Sequence, residues 1–299
     1  MSRLGPVRLG IPALVAALLL AGCGTPRSGD LGPAPTAPPT SAAPADRPEP
    51  APTRAPEPTP PATNRPPGPS AAASTGARRP DLVTIELWYV RAGLLVPTRR
   101  TRPATVATSR LALTELAAGP SRAEAATGMT TLLPAGVEVT RIADGVATLR
   151  VPSGGDPVTR RLREAQVVWT LTQFPTVRQV RLDGEAPVDR ADYADLLPPI
   201  VVTGPIVGER VTTPLVVTGT ADVFEATVSV RVLDAAGREV ATGFGTASCG
   251  SGCRGGYRVQ VGWRTTREQK GTIEVYEVSA RDGSRINTTV VPVILTAAD

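Results

Sequence analysis

The chain has 299 residues, 32 Lys and Arg against 27 Asp and Glu, no histidine, three cysteines and only ten aromatic residues. The net charge of +5 first suggests a nucleic-acid binder. However, residues 1–80 carry +4 of it, residues 81–199 carry +1 and residues 200–299 carry none, so no folded segment offers the concentrated basic surface a duplex requires.

The chain begins with a positive segment containing Arg3 and Arg8, followed by a ten-residue apolar run, Ile11 to Leu20. That length fits a secretory signal and is too short to span a bilayer as a helix. Leu20-Ala21-Gly22-Cys23 then reads as a lipobox. Residues 1–22 are expected to be a cleaved lipoprotein signal, with Cys23 lipidated on its thiol. The expected location is the outer side of a cell membrane. Lys270 is the only lysine, a bias that suggests a high-GC, actinobacterial genome.

Residues 23–80 form the next segment. Positions 24–80 hold 17 prolines among Ala, Thr and Ser. With so little apolar surface to bury, the segment is expected to be a disordered tether of polyproline II character. Its fully extended limit is on the order of 170 Å.

Composition changes at Asp81, and the 219 residues beyond it suffice for two domains. Leu82 to Val90 is β-branched and aromatic and reads as a strand. Thr105 to Ala118 reads as a helix stopped by Gly119-Pro120. The local cluster of Arg91, Arg99, Arg100 and Arg102 reads as a solvated strand–loop edge, with an anionic-polymer site as the rival. Val137 to Thr140 and Val146 to Val151 read as a hairpin around Asp144-Gly145. Asp156-Pro157 is a capping pair for a helix to about Phe174, with Leu162, Ala165, Trp169 and Thr172 on one face. A strand from Val177 to Leu182 follows. The order β-α-β-β-α-β predicts an α+β domain over 81–186, with two helices on one face of a sheet.

The segments Leu94-Leu95-Val96-Pro97, Leu113 to Pro120 and Leu132-Leu133-Pro134-Ala135-Gly136 carry a resemblance, as does Val168-Trp169-Thr170-Leu171-Thr172-Gln173-Phe174-Pro175-Thr176-Val177. Together they resemble the GerMN domain of sporulation and spore germination proteins. Trp169 and Phe174 read as core anchors rather than a ligand platform.

In the linker, 187–199, Asp189, Asp192 and Asp195 recur at i, i+3 and i+6. A calcium site needs six to eight oxygen ligands, so a solvated linker helix with Asp189 near its N-cap is expected, ending at Pro198-Pro199.

Residues 200–299 show seven short β-branched runs separated by turn signals: 200–203, 215–218, 227–233, 239–246, 257–263, 272–279 and 287–295. This pattern predicts an all-β, immunoglobulin-like sandwich. Val207-Gly208, Pro214 to Ala221, Val223 to Thr227 and Val275 to Gly283 resemble the immunoglobulin-like domain of bacterial spore germination, which often accompanies GerMN. Cys249 and Cys253, separated by Gly-Ser-Gly, read as a disulfide at a loop tip rather than a metal site, because zinc would lack further Cys or His ligands.

Without histidine, Ser-His-Asp and Cys-His nucleophiles are excluded. No nucleophile elbow, phosphate loop or dinucleotide fingerprint occurs. No catalytic residue, cofactor or metal is therefore expected, and the ligand is not legible. The expected function is a non-catalytic binding or scaffold lipoprotein for envelope proteins or wall polymer. A regulatory accessory of a membrane sensor kinase is the alternative, since GerMN-bearing lipoproteins are similar to such partners. A wall-glycan hydrolase using paired carboxylates is the last reading.

Overall fold

The computed structural model describes residues 81–151 and 154–297. Cys23, its lipobox and the Pro-rich segment to residue 80 therefore lie outside the described residues.

The chain is mostly β. It opens with β1 (Leu82–Arg91) and β2 (Leu94–Pro103), paired antiparallel across a two-residue turn. Ala92 and Gly93 both have positive φ, 51° and 76°, the conformation that matches a tight turn to strand twist. The sequence reading places Arg99, Arg100 and Arg102 on a solvated strand–loop edge and marks no second strand here. Pro97 and three arginines obscure it, yet Pro97 pairs opposite Trp88. Proline is tolerated here because β2 is an edge strand.

Two helices follow, α1 (Thr108–Ala118) and the short α2 (Arg122–Ala125). Next come β3 (Val139–Ala143), β4 (Val146–Leu149), α3 (Pro157–Leu171) and β5 (Gln179–Leu182). β3 and β4 turn at Asp144-Gly145, and β5 joins β4 in parallel. The strands thus divide into a hairpin, β1-β2, and a three-stranded sheet, β3-β4-β5.

Asp156 caps α3, its carboxylate accepting from the Val158 and Thr159 amides at 3.0 and 3.1 Å. The helix buries Leu162, Ala165 and an unbroken run from Gln166 to Leu171. That run is wider than one stripe because α3 touches both β1 and β5.

The second domain contains β6 (Ile200–Gly204), β7 (Arg210–Val211), β8 (Leu215–Ala221), β9 (Thr227–Leu233), β10 (Glu239–Thr246), β11 (Gly255–Val261), β12 (Gln269–Val278) and β13 (Arg285–Leu295). Strands in the order β10-β9-β12-β13-β7 form one sheet and β11-β8-β6 the other. Alternation places Val228, Val230, Val232, Ile273, Val275, Val291 and Val293 inward, against Val217, Val259 and Val261. The two-residue β7 runs parallel to β13 and was not anticipated, being too short to carry a pattern.

Candidate functional site

Three local arrangements decide what the molecule can present. They are the open edge of β1, the arginine cluster of β2, and the seam where the first domain meets the second.

β1 pairs with β2 on one side only. Its other edge would be a row of bare amides and carbonyls, which is costly inside a protein. Side chains of α3 and of the turn after it complete it. Gln173 accepts from the Glu86 amide at 2.8 Å and donates to the Glu86 carbonyl at 2.7 Å. Thr170 Oγ1 accepts from the Trp88 amide at 3.2 Å, and Gln166 donates to the Trp88 carbonyl at 2.9 Å. Val90 exchanges two backbone bonds with Thr130. Gln166 and Thr170 share one face of α3 and Gln173 continues it in the turn after Leu171, so this edge of helix and turn acts as a substitute strand. The Trp-Thr-Leu-Thr-Gln-Phe run therefore does structural work. Trp169 is buried and tilted against Trp88 at 4.6 Å between ring centroids. Phe174 packs half-buried against the same core. The guanidinium of Arg190 lies 4.6 Å from the Trp169 ring centroid and donates to Thr172 Oγ1 and the Trp169 carbonyl.

The clustered arginines, Arg91 at the end of β1 and the other three on β2, differ in their partners. Arg100 makes a two-pronged bond to Glu124, whose side chain is 1% exposed. Thr98 also donates to Glu124, as does the Ser121 amide at 2.7 Å, closing a capping box at the start of α2. Burial alone would raise the Glu124 carboxyl. The bonds from Arg100, Thr98 and Ser121 outweigh it and hold the carboxyl down at about 2. Beside it, Tyr89 donates to the Gly119 carbonyl at 2.8 Å, and burial pushes its phenol up to about 12. Arg102 grips Glu115 at 2.7 and 2.8 Å. Arg99 reaches Glu209 in the second domain at 3.4 Å. The cluster that looked like an exposed cationic edge is thus largely neutralised. Arg91 is the exception: it is half-buried, has no ion-pair partner among the described residues, and is lowered by burial.

The seam lies between β2 and β6. Val201 of β6 joins the first domain's core, while Val207 packs against both cores. Arg91, Val96 and Met129 face Val202, Ile206 and Val290 around a residual cavity of about 20 Å³. That is room for roughly one water-sized probe, so the groove between the domains is filled by side chains. Arg254 fastens the linker from the far side, donating to the Pro198 carbonyl at 2.8 Å and approaching those of Pro199 and Thr220 at 3.4 Å. It directly follows Cys253, which is bonded to Cys249 in the loop between β10 and β11. That loop is pinned by the Gly252 amide on Asp222 at 2.8 Å and the Ser251 amide on the Val223 carbonyl at 3.0 Å. The cysteine loop therefore sits at the linker end of the sandwich and orients Arg254.

The linker itself is a short 3-10 helix, Ala191–Leu196, around the buried Tyr193. Asp192 and Asp195 lie within it, on either side of a break at Tyr193, and Asp189 precedes its cap, Arg190. Asp189 accepts from the Ala191 amide, Asp192 accepts from the Asp189 amide, and Asp195 pairs with Arg161 at 2.8 Å. Each aspartate serves local structure. Among the described residues, no group of three or more Asp, Glu or Cys is placed to hold a metal ion.

Residues 87–186 match a family model described as sporulation and spore germination. Residues 199–284 match one described as the immunoglobulin-like domain of bacterial spore germination. No curated protein matches the chain. Among solved structures, the chain is similar to the tandem GerMN domains of the sporulation protein GerM from Bacillus subtilis. Identity there is 17% and the TM-score 0.33, covering 73% of this chain and 62% of that one. WR4, a C. elegans MSP family member, is 19% identical over 33% of this chain and 98% of its own, with a TM-score of 0.20. The CssB subunit of the Escherichia coli colonization factor CS6, complemented by a CssA donor strand, is 11% identical over 31% and 96%, with a TM-score of 0.16.

Proposed function

We propose, from the premise that the chain carries a GerMN domain followed by an immunoglobulin-like domain of bacterial spore germination, that it is a membrane-anchored lipoprotein. It acts outside the cytoplasm as a non-catalytic scaffold for envelope proteins or wall polymer. The observation that carries this reading is the filled seam. A catalytic cleft between domains needs convergent polar groups around an open space, whereas this one is apolar and of about 20 Å³. Arg99–Glu209, Arg254 and the shared packing of Val207 tie the domains into one platform. Its outward faces are then what a partner meets.

The anchor is tested with Cys23→Ala in intact cells. Loss of the protein from the detergent phase on phase separation is expected, and unchanged partition overturns the lipid anchor. Crosslinking separates the partner classes. Enrichment of wall-assembly proteins supports scaffolding, and enrichment of one sensor kinase alone replaces it with regulation. Release of soluble fragments from purified peptidoglycan would replace both with hydrolysis.

A further inference from the structure

The five-stranded sheet of the second domain turns one face to the core and the other to solvent. On the solvent face, Phe244 of β10 lies opposite Ser229 of β9, and Ser229 lies opposite Tyr276 of β12. The two aromatic residues are thus two strands apart, roughly 10 Å, with a small hydroxyl residue between them. Phe244 is 78% exposed. Its exposure is imposed by the backbone. A Cβ on the preceding Gly243 would come within 2.9 Å of Val261, and one on Gly245 within 3.0 Å of Val259. These glycines let β10 lie close on β11, and strand alternation then fixes the Phe244 ring outward. An exposed phenylalanine on an outer strand adds nothing to the fold and is a hazard for association.

Around Phe244 the surface is polar, and beyond Tyr276 the same face also carries Val278 and Val290, 47% and 40% exposed. Thr242 and Thr246 flank Phe244 on β10, and Thr227 lies opposite Thr246. Arg231 is held by Glu274 at 2.6 Å and by Glu239 at 3.7 Å. Arg285 lies 5.3 Å from the Tyr276 ring centroid and has no carboxylate partner among the described residues. A protein partner buries a contiguous apolar centre. Separate rings set among hydroxyls and ion pairs suit a chain of sugars, in which apolar ring faces alternate with hydroxyl edges.

We propose that this face, framed by Phe244 and Tyr276 across Ser229, binds the glycan strand of peptidoglycan. Pyranose faces stack on the two rings, a distance apart that matches alternate sugars of an extended chain. Thr and Ser hydroxyls meet the sugar edges, and the stem-peptide or lactyl carboxylates meet Arg285. The site narrows the wall-polymer arm of the proposed function, and it rests on that reading for access to wall material.

The test is sedimentation of the full chain with purified, insoluble peptidoglycan, comparing wild type with Phe244→Ala, Tyr276→Ala, the double variant and Arg285→Gln. Circular dichroism and thermal melting verify folding, and a Phe244→Trp variant keeps a ring at the edge position. Each alanine variant is expected to weaken binding about tenfold with its melt unchanged. Phe244→Trp should retain binding, soluble N-acetylglucosamine oligomers should compete, and Arg285→Gln should reduce the salt sensitivity of binding. Wild type and folded double variant sedimenting equally overturns the platform while leaving a wall-polymer role elsewhere on the molecule. No sedimentation of wild type overturns the platform and the wall-polymer arm together, leaving protein scaffolding. Loss of binding in every variant only alongside a lowered melt, with Phe244→Trp also inactive, overturns ring stacking.

Discussion

Replacing Glu124 by Gln tests whether the buried ion pair of the first domain holds β2 against α2. The carboxyl sits at about 2 instead of 4.5, a difference worth roughly 3 kcal/mol of folded-state preference for the ionised form. Because the folded value is the lower one, this stabilisation is complete above pH 4.5 and is lost as pH falls from 4.5 toward 2. Glu124→Gln keeps the shape but removes the charge, and Arg100, whose side chain is 14% exposed, is left without its counter-charge. Breaking one partner of such a buried pair costs about 3–5 kcal/mol. The expected loss is therefore about 3 kcal/mol at pH 7, shrinking by pH 3, where the unfolded-state carboxyl is already protonated while the folded one is still largely ionised. Urea unfolding followed by tryptophan fluorescence measures it, since Trp88 and Trp169 both lie in this domain. A loss below about 1 kcal/mol at pH 7, or one equally large at pH 7 and pH 3, would refute the reasoning.

Gln173→Leu should strip the Glu86 amide and carbonyl of their partners, at about 1–3 kcal/mol per group. Hydrogen exchange at the Glu86 amide should accelerate, while unchanged protection would mean the side chain does not complete the β1 edge. Arg254→Ala should leave both domains folded but free the Pro198 and Pro199 carbonyls. Limited trypsin digestion should then cut faster after Arg190, and an unchanged cleavage rate would show that Arg254 does not secure the linker.

What was legible in the sequence was mostly local. Asp156-Pro157 signalled the start of α3, Asp144-Gly145 marked a hairpin, and strict alternation in Val228 to Val232 identified a half-buried strand. What escaped depends on partners far along the chain. The β2 arginines looked solvated because Glu115, Glu124 and Glu209 lie 13, 24 and 110 positions away from them. The division of the first domain's strands into a hairpin and a separate sheet was hidden for the same reason. It depends on α3 serving both groups. A signal for that did exist, since Gln166 and Thr170 break the apolar run from Ala165 to Leu171 four residues apart, and Gln173 follows in the next turn. The outward platform on β10 and β12 also had a trace in Gly243-Phe244-Gly245, a large aromatic residue between two glycines.

The Gln166, Thr170 and Gln173 ladder has a further consequence for how copies of this protein behave when crowded. A free strand edge invites a neighbouring chain to continue the sheet, and that contact is indifferent to sequence because it is made by backbone. Here that side of β1 is occupied by side chains of α3 and of the turn after it and by Thr130, so it has no vacant backbone positions from Glu86 to Val90. The first domain can therefore sit beside many copies of itself without templating their polymerisation from this edge. Recognition through it must depend on side-chain identity, which selection can tune one residue at a time.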